Sequence, residues 1–267
     1  MTQRLKPKRP LAAVLSNFYQ ILAANSSLSQ VTWQIGRASH IEASSPAIRL
    51  ATWNIFKANS GTDFFQEYHR LVQSTDVLLL QEVLSTRDEL GRYLPEGWQG
   101  IHSGSYERRD GKREGVLTAS RFAQTKALRL LAPRQEPLVK TPKVGLATVI
   151  QVASQQVHLI NLHLPLLRTA KQSQFDLEKM LGEVASLEGA VIVAGDFNSF
   201  HSGYLRLMQE VLASYGLRQV VINSDPRPKL ARLDHLFIKG LKVRHVRIAS
   251  EYKTSDHFPI ICELIVS

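Results

Sequence analysis

Cysteine is almost missing: the 267-residue chain has one, Cys262. A single thiol excludes an internal disulfide framework and a multi-cysteine zinc site. Its setting, the apolar run IICELIV, reads as core in a reducing compartment. Long hydrophobic runs are also missing. No stretch reaches the roughly 20 apolar residues of a membrane-spanning helix. Acidic residues are in deficit, 23 against 33 Lys and Arg, which leaves a formal net charge of +10. That surplus favours polyanions, whether nucleic acid, nucleotides or an anionic membrane surface, and says nothing of the fold. With 44% hydrophobic and 21% charged residues, wholesale disorder is excluded.

The acidic deficit is greatest at the N-terminus, where Glu42 is the first acidic residue. Arg4, Lys6, Lys8 and Arg9 precede a run in which Leu11, Val14, Leu15, Phe18, Ile21 and Leu22 recur at helical spacing. Ser16, Asn17 and Gln20 make that run too polar for a signal-peptide core. The expectation is a short amphipathic helix packed on the main domain; a basic arm for a membrane surface or nucleic acid is the alternative. Residues 25–47 read as a linker or an irregular wrapping segment. The chain thus divides into a basic extension, 1–46, and one large domain, 47–267.

From Ile48 onward short apolar runs recur: IRLATWNI, VLLLQEV, GVLTAS, VGLATVIQV, VHLINLHL, AVIVAGDFN, DHLFIKG, VRHVRIAS and PIICELIV. Their length and their Val, Ile, Leu and Thr content predict strands. Asp63–Thr75, Thr169–Leu187 and Tyr204–Tyr215 carry helical spacing instead. Many strands with few helices imply an α/β fold of two packed sheets flanked by helices.

Polar residues cluster where these runs end: Asn54, Gln81-Glu82, Asn161 and His163, Asp196 to Asn198, Asp234, and Ser255-Asp256-His257. Strand-end loops can converge on one site. The set offers carboxylates, amides and imidazoles without a thiol, which suits Mg²⁺ or Mn²⁺. Each residue alone has a plainer reading. Asn54 and Asp196 suit turns or caps, Glu82 a solvated strand end, His163 a hydrogen-bonded core histidine, and Asp234 with His257 a structural pair.

Taken in order, WN (53–54), QE (81–82), NLHL (161–164), GDFN (195–198), LDHLF (233–237) and SDHFPI (255–260) resemble the endonuclease/exonuclease/phosphatase superfamily, the DNase I-like group. The likeness runs from about residue 48 to the C-terminus and is nearest to the small bacterial YafD-like proteins. It implies a four-layered α-β-β-α sandwich and a divalent-metal phosphodiesterase, most simply a nuclease. A phospholipid or sphingomyelin phosphodiesterase and a small-molecule phosphatase of the same superfamily are the alternatives. A polyanion-binding protein is the non-enzymatic one. The resemblance makes Glu82 the main metal ligand, helped by Asn54 and Asp256, with Mg²⁺ as the metal and Mn²⁺ as a substitute. Asp196 would orient or deprotonate water, Asn198 would hold the phosphate, and His257, oriented by Asp234, would contact the phosphate or act as base. His163 would assist the leaving group. A bacterial, cytoplasmic, monomeric protein follows from the same likeness.

Beside this set, Arg108, Arg109 and Arg113 lie in a basic loop with a turn at Asp110-Gly111 and are candidate phosphate contacts. The same charge run suits a solvated hairpin tip equally well. Arg227, Lys229 and Arg232 form a second basic stretch before Asp234, and Trp98, Tyr106 and Phe200 are candidate stacking residues.

Overall fold

Alternation along the strands decides which side chains face which layer. In β3 (Ala47–Asn54) Ile48 and Leu50 join one buried cluster, while Ala51 and Trp53 join another. In β4 (Val77–Ser85) Val77 and Leu79 take the first side, Leu78 and Leu80 the second. β9 (Gln155–His163), β10 (Ala190–Asp196) and β12 (Asp234–Lys239) behave alike. Val157, Leu159, Ile192, Ala194, Leu236 and Ile238 face the cluster that holds Ile48 and Leu50. This shared cluster is the core between two sheets. A period of two with both rows apolar is what a strand buried on both faces requires.

The computed structural model describes residues 32–40, 42–43, 45–59, 61–136, 140–166, 169–184, 188–200 and 202–267. The amphipathic helix expected at 11–24 lies outside them. One sheet adds β1 (Thr32–Gly36), β5 (Gln99–Glu107), β6 (Arg113–Ser120), β13 (Leu241–Ile248) and β14 (Ile260–Val266), in the order β1-β5-β6-β4-β3-β14-β13. The other adds β2 (Glu42–Ala43), β8 (Pro142–Val152) and β11 (Arg218–Gln219), in the order β11-β12-β10-β9-β8-β2, and β7 (Thr125–Gln135) also pairs with β8. Both sheets are mixed: β3 and β4 are parallel, as are β9 and β10, among antiparallel neighbours.

Helices cover the outer faces. On the first sheet, α1 (Thr62–Gln73) buries Phe64, Tyr68, Leu71 and Val72 against Trp53, Leu78 and Leu80. On the second, α2 (Ala170–Gly182) and α3 (Ser202–Ser214) bury Leu177, Met180, Met208 and Leu212 against Ile160, Leu162, Val191 and Val193. Thr169 starts α2 with a reciprocal cap: Gln172 N–H donates to its hydroxyl at 3.3 Å, and its own N–H donates to the Gln172 side chain at 3.1 Å. The result is the four-layered α-β-β-α sandwich expected. No described helix is long and apolar enough to cross a membrane.

Two expectations are corrected. The stretch 25–47, read as linker, contributes β1 to the first sheet through pairs with β5, and β2 to the second through pairs with β8. Trp33 anchors β1 there, with the Arg113 guanidinium 4.2 Å from its ring centre. β5 and β7 were not anticipated either. β5 is rich in Gly and Ser despite its burial, and β7 is an outer strand with mostly exposed residues at its start.

Gly195 shows how tightly the strands near the active end are packed. Its φ is +144°, and a Cβ there would sit 1.9 Å from the Leu162 carbonyl oxygen in β9. Backbone cannot retreat like a side-chain tip. Gly195→Ala is therefore expected to cost about 3 kcal/mol, on the order of 10 °C in Tm by thermal unfolding. A fall within the error of the parent Tm would show that the strands separate freely here.

Candidate active site

The polar residues continue the inward-facing rows of the core. Asn54 follows Leu50 and Thr52, Asn161 and His163 follow Leu159, Asp196 follows Ala194, and Asp234 precedes Leu236. They emerge together at one end of the gap between the sheets. Asn161 and Gln81 remain structural. Gln81 Nε2 donates to Asn161 Oδ1 at 2.7 Å, and Asn161 Nδ2 donates to the Leu80 and Leu117 carbonyls, which ties the two sheets below the site.

Glu82 would fall on the helix-side row with Leu78 and Leu80 if the strand alternated regularly. The β4–β6 register instead shifts between Leu80 and Val83, and Glu82 adopts φ +54°. This bulge gives the helix-side position to Val83 and turns Glu82 into the site, where it pairs with the Lys57 ammonium. Lys57 follows the strand end in a run of three left-handed residues, Phe56, Lys57 and Ala58. Such a run costs about 1–2 kcal/mol per residue, so its neighbours hold it in place.

The loop carrying Asp256 and His257 is pinned to the end of β3. Ser255 Oγ donates to the Asn54 carbonyl at 2.7 Å, Trp53 Nε1 to the His257 carbonyl at 3.0 Å, and His257 N–H to Ser255 Oγ at 3.2 Å. From the other side the Glu67 carboxylate of α1 accepts the Lys253 and Thr254 N–H groups. His257 Nδ1 then meets the Asp234 carboxylate at 2.9 Å, and its Nε2 lies 3.9 Å from Asp196 Oδ2. Asp196 accepts from Asn54 Nδ2 at 3.0 Å and from the Asn198 N–H at 2.9 Å, while Asn198 Nδ2 donates to the Leu164 carbonyl.

Burial raises the Asp196 carboxyl to about 6, against the lowering effect of His257 and the two donors. Burial alone would lower the His257 imidazolium, but Asp234, Asp196 and Asp256 around it push it up to about 10. Glu82 is held well below the usual carboxylate range. Burial works against that, and the Lys57 and Lys143 ammonium groups outweigh it. His163 is 2% exposed and stays neutral, its pKa far below ordinary because of burial and Lys143. Its Nε2 is 3.7 Å from Asp196 and its Nδ1 3.9 Å from Glu114, contacts too long for hydrogen bonds.

Three groups here escaped the sequence reading. Lys57 looked like the end of a strand motif. Glu114 and Lys143 looked like ordinary polar strand positions, yet they are 1% and 8% exposed. Lys143 Nζ lies 3.9 Å from Glu114 and 3.8 Å from Glu136. The alternation could have flagged Lys143, because it interrupts an otherwise buried strand.

The pocket, about 480 Å³, is lined by Glu82, Glu136, Asp196 and Asp256 against Lys57, Lys143 and His257. A carboxylate-lined pocket in a chain of net charge +10 fits a divalent cation. Two groupings could hold one. Asp196, Asp234 and His257 offer ligand atoms within 4.8 Å of one another, but each already exchanges hydrogen bonds with protein partners. Glu82 and Asp256 also line the pocket, Glu82 paired with Lys57, and Asn54 donates to Asp196 beside them. This second grouping offers oxygen donors only, the kind a hard divalent cation takes.

Arg108, Arg109 and Arg113 are not among the described residues that line this pocket. Arg108 pairs with Asp110 at 3.0 Å and Arg113 with Glu107 at 2.6 Å, so both serve the β5–β6 hairpin. Tyr106 and Phe200 do line the pocket, whereas Trp98 packs in the core under α1.

A two-sheet sandwich with carboxylates, amides and histidines converging at one end of the gap defines the class. The chain belongs to the Endonuclease/Exonuclease/phosphatase family, whose profile matches residues 51–257. It is 30% identical over 219 residues to a UPF0294 protein of Vibrio cholerae, covering 80% of this chain and 76% of that one. An endonuclease/exonuclease/phosphatase from Beutenbergia cavernae shares the fold at TM-score 0.65 and 18% identity, over 83% of this chain and 72% of that one. D. rerio TDP2 in complex with a single-strand DNA product aligns at TM-score 0.60 and 15% identity, over 82% and 98%.

Proposed function

We propose that the chain is a divalent-metal-dependent phosphodiesterase that hydrolyses nucleic acid. The observation that carries this reading is the opposed pair at the site, a carboxylate raised to about 6 beside an imidazolium raised to about 10. Near neutral pH Asp196 is ionised and can take a proton from water, while His257 is charged and can face a phosphate oxygen. Asn198 and Lys143 supply further donors to the phosphate. Glu82 and Asp256, backed by Asn54, would hold Mg²⁺ or Mn²⁺, which when bound offsets phosphate charge and polarises its oxygens. Nucleic acid as substrate draws support from the net charge of +10 and from the neighbour whose structure contains a single-strand DNA product. A cytoplasmic setting belongs to the same reading, consistent with a lone, buried Cys262.

The test is hydrolysis with Mg²⁺ or Mn²⁺ across single-stranded and duplex DNA, RNA, bis-p-nitrophenyl phosphate and sphingomyelin, with Glu82→Ala in parallel. Cleavage of nucleic acid that the variant loses is the expected result. Turnover of sphingomyelin alone, or cleavage unchanged by Glu82→Ala, overturns it.

A further inference from the structure

A second and larger cavity, about 630 Å³, adjoins the catalytic pocket: Phe200 lines both, and Asp234, which lines the larger one, is bonded to His257 of the smaller. The segment between β11 and β12 forms one wall, and Leu205 of α3 contributes to another. Two features mark it out. The described residues include six exposed large hydrophobics, and three of them, Phe200, Val221 and Leu230, gather here, the last two 77% and 67% exposed. Three cations, Arg227, Lys229 and Arg232, line the same cavity against two carboxylates, Asp225 and Asp234.

The polar floor is already satisfied within the protein. Gln219 Nε2 meets His235 Nδ1 at 3.0 Å, His235 Nε2 meets Ser199 Oγ at 2.7 Å, and Ser199 Oγ donates to the Arg232 carbonyl. Buried Arg227 is held by Asp225 at 2.9 Å and reaches Asp234 Oδ2 at 3.3 Å. Neither group is left over to read a polar ligand edge. What the cavity presents outward is an apolar lip beside exposed Lys229 and half-exposed Arg232, the latter fixed by donating to the Arg227 and Asp225 carbonyls at 3.2 Å. A ligand matching this has a flat apolar face and a negative charge a short distance away. A nucleotide has both, and base stacking on an aromatic beside a cation is indifferent to sequence.

Resting on the nuclease reading above, we propose that this cavity is a subsite for the nucleotide flanking the scissile phosphate of a single strand. Its base lies against Phe200 and Leu230, and its phosphate faces Lys229 and Arg232. Arg227 bridges the subsite and the Asp234–His257 pair, so an occupied subsite abuts the catalytic dyad directly.

The experiment is fluorescence anisotropy of a short fluorescein-labelled single-stranded DNA in EDTA, where cleavage does not compete, at a series of salt concentrations. Lys229→Ala is expected to weaken binding and make the log–log salt slope shallower by roughly 0.7, the loss of about one phosphate contact. Leu230→Ser is expected to weaken binding about 5–10-fold with the slope unchanged, because it removes apolar contact only. Hydrolysis of bis-p-nitrophenyl phosphate, too small to span both cavities, should fall much less than DNA cleavage in either variant. Parental binding and slope in both variants, in a protein that hydrolyses the small diester, overturn the subsite and leave the catalytic reading standing. No hydrolysis of any diester by the parent removes the catalytic reading first. Loss of binding to anionic lipid vesicles in these variants, with DNA binding intact, would assign the cavity to a lipid and overturn the proposal.

Discussion

His257→Ala is expected to lower phosphodiester hydrolysis by about 10²- to 10⁴-fold while the domain stays folded. The two halves of this expectation have separate grounds. Activity falls because the imidazolium is the charged donor facing Asp196 across 3.9 Å. Alanine leaves no group there to meet a phosphate oxygen. Folding survives because Asp234 is not left alone: Arg227 Nη1 still approaches its Oδ2 at 3.3 Å. A buried carboxylate stripped of every partner would be far more costly. The loop backbone is also pinned by Ser255, Trp53 and Glu67, none of which needs the imidazole ring. Activity and thermal unfolding of the purified variant check both parts. Full activity in the folded variant would sink the site assignment.

The pH profile separates the two candidate bases. With Asp196 as base and His257 as cation, activity rises as Asp196 ionises near about 6 and declines as His257 loses its proton near about 10. These are limbs of the interacting pair, not private constants of either residue. If His257 were the base, activity would instead climb towards about 10.

Much of this was legible in the sequence because strand alternation is a local code. The inward row of β10, Ile192, Ala194 and Asp196, places a carboxylate at the end of an apolar ladder, and GDFN announces it. The helix beginning at Thr169 was visible because helical spacing is an equally local code. What stayed hidden depended on breaks in the code. The bulge at Gln81-Glu82 decides where Glu82 points, and nothing in VLLLQEV specifies a skipped residue. Lys57 reaches Glu82 through three left-handed residues, a conformation that Phe, Lys and Ala do not favour alone. Arg227 read as one charge in a basic stretch, but it is 5% exposed and clamped between Asp225 and Asp234, a partnership across the end of a strand that spacing cannot reveal.

Acid should destabilise the fold well before its carboxylates are exhausted. His102 and His235 are buried and neutral, burial lowering each to about 4, and burial holds His163 well below its ordinary value as well. A histidine lowered in the folded state contributes stability that is complete above its ordinary value of 6.5. That contribution is lost as pH falls through the folded value, because the unfolded chain takes the proton first. For His102 and His235 the window runs from 6.5 down to about 4, and each loses about 3 kcal/mol across it. Asp196 works the other way. Its raised value makes the folded state take a proton between about 6 and 3.8, returning about 3 kcal/mol. His257 contributes no change here, since its contribution is complete below 6.5 and is lost only as pH rises towards about 10. Three buried histidines, His102, His235 and His163, lose against two raised carboxyls, Asp196 and Glu114, that gain, so the balance is destabilising. Tm is expected to fall by on the order of 10 °C between about pH 7 and pH 4.5. His102→Gln should make that acid limb shallower whatever it does to Tm at neutral pH, because the side chain stacked on Trp33 no longer titrates. A limb of unchanged slope in the variant would mean that His102 is not the neutral, buried base its surroundings require.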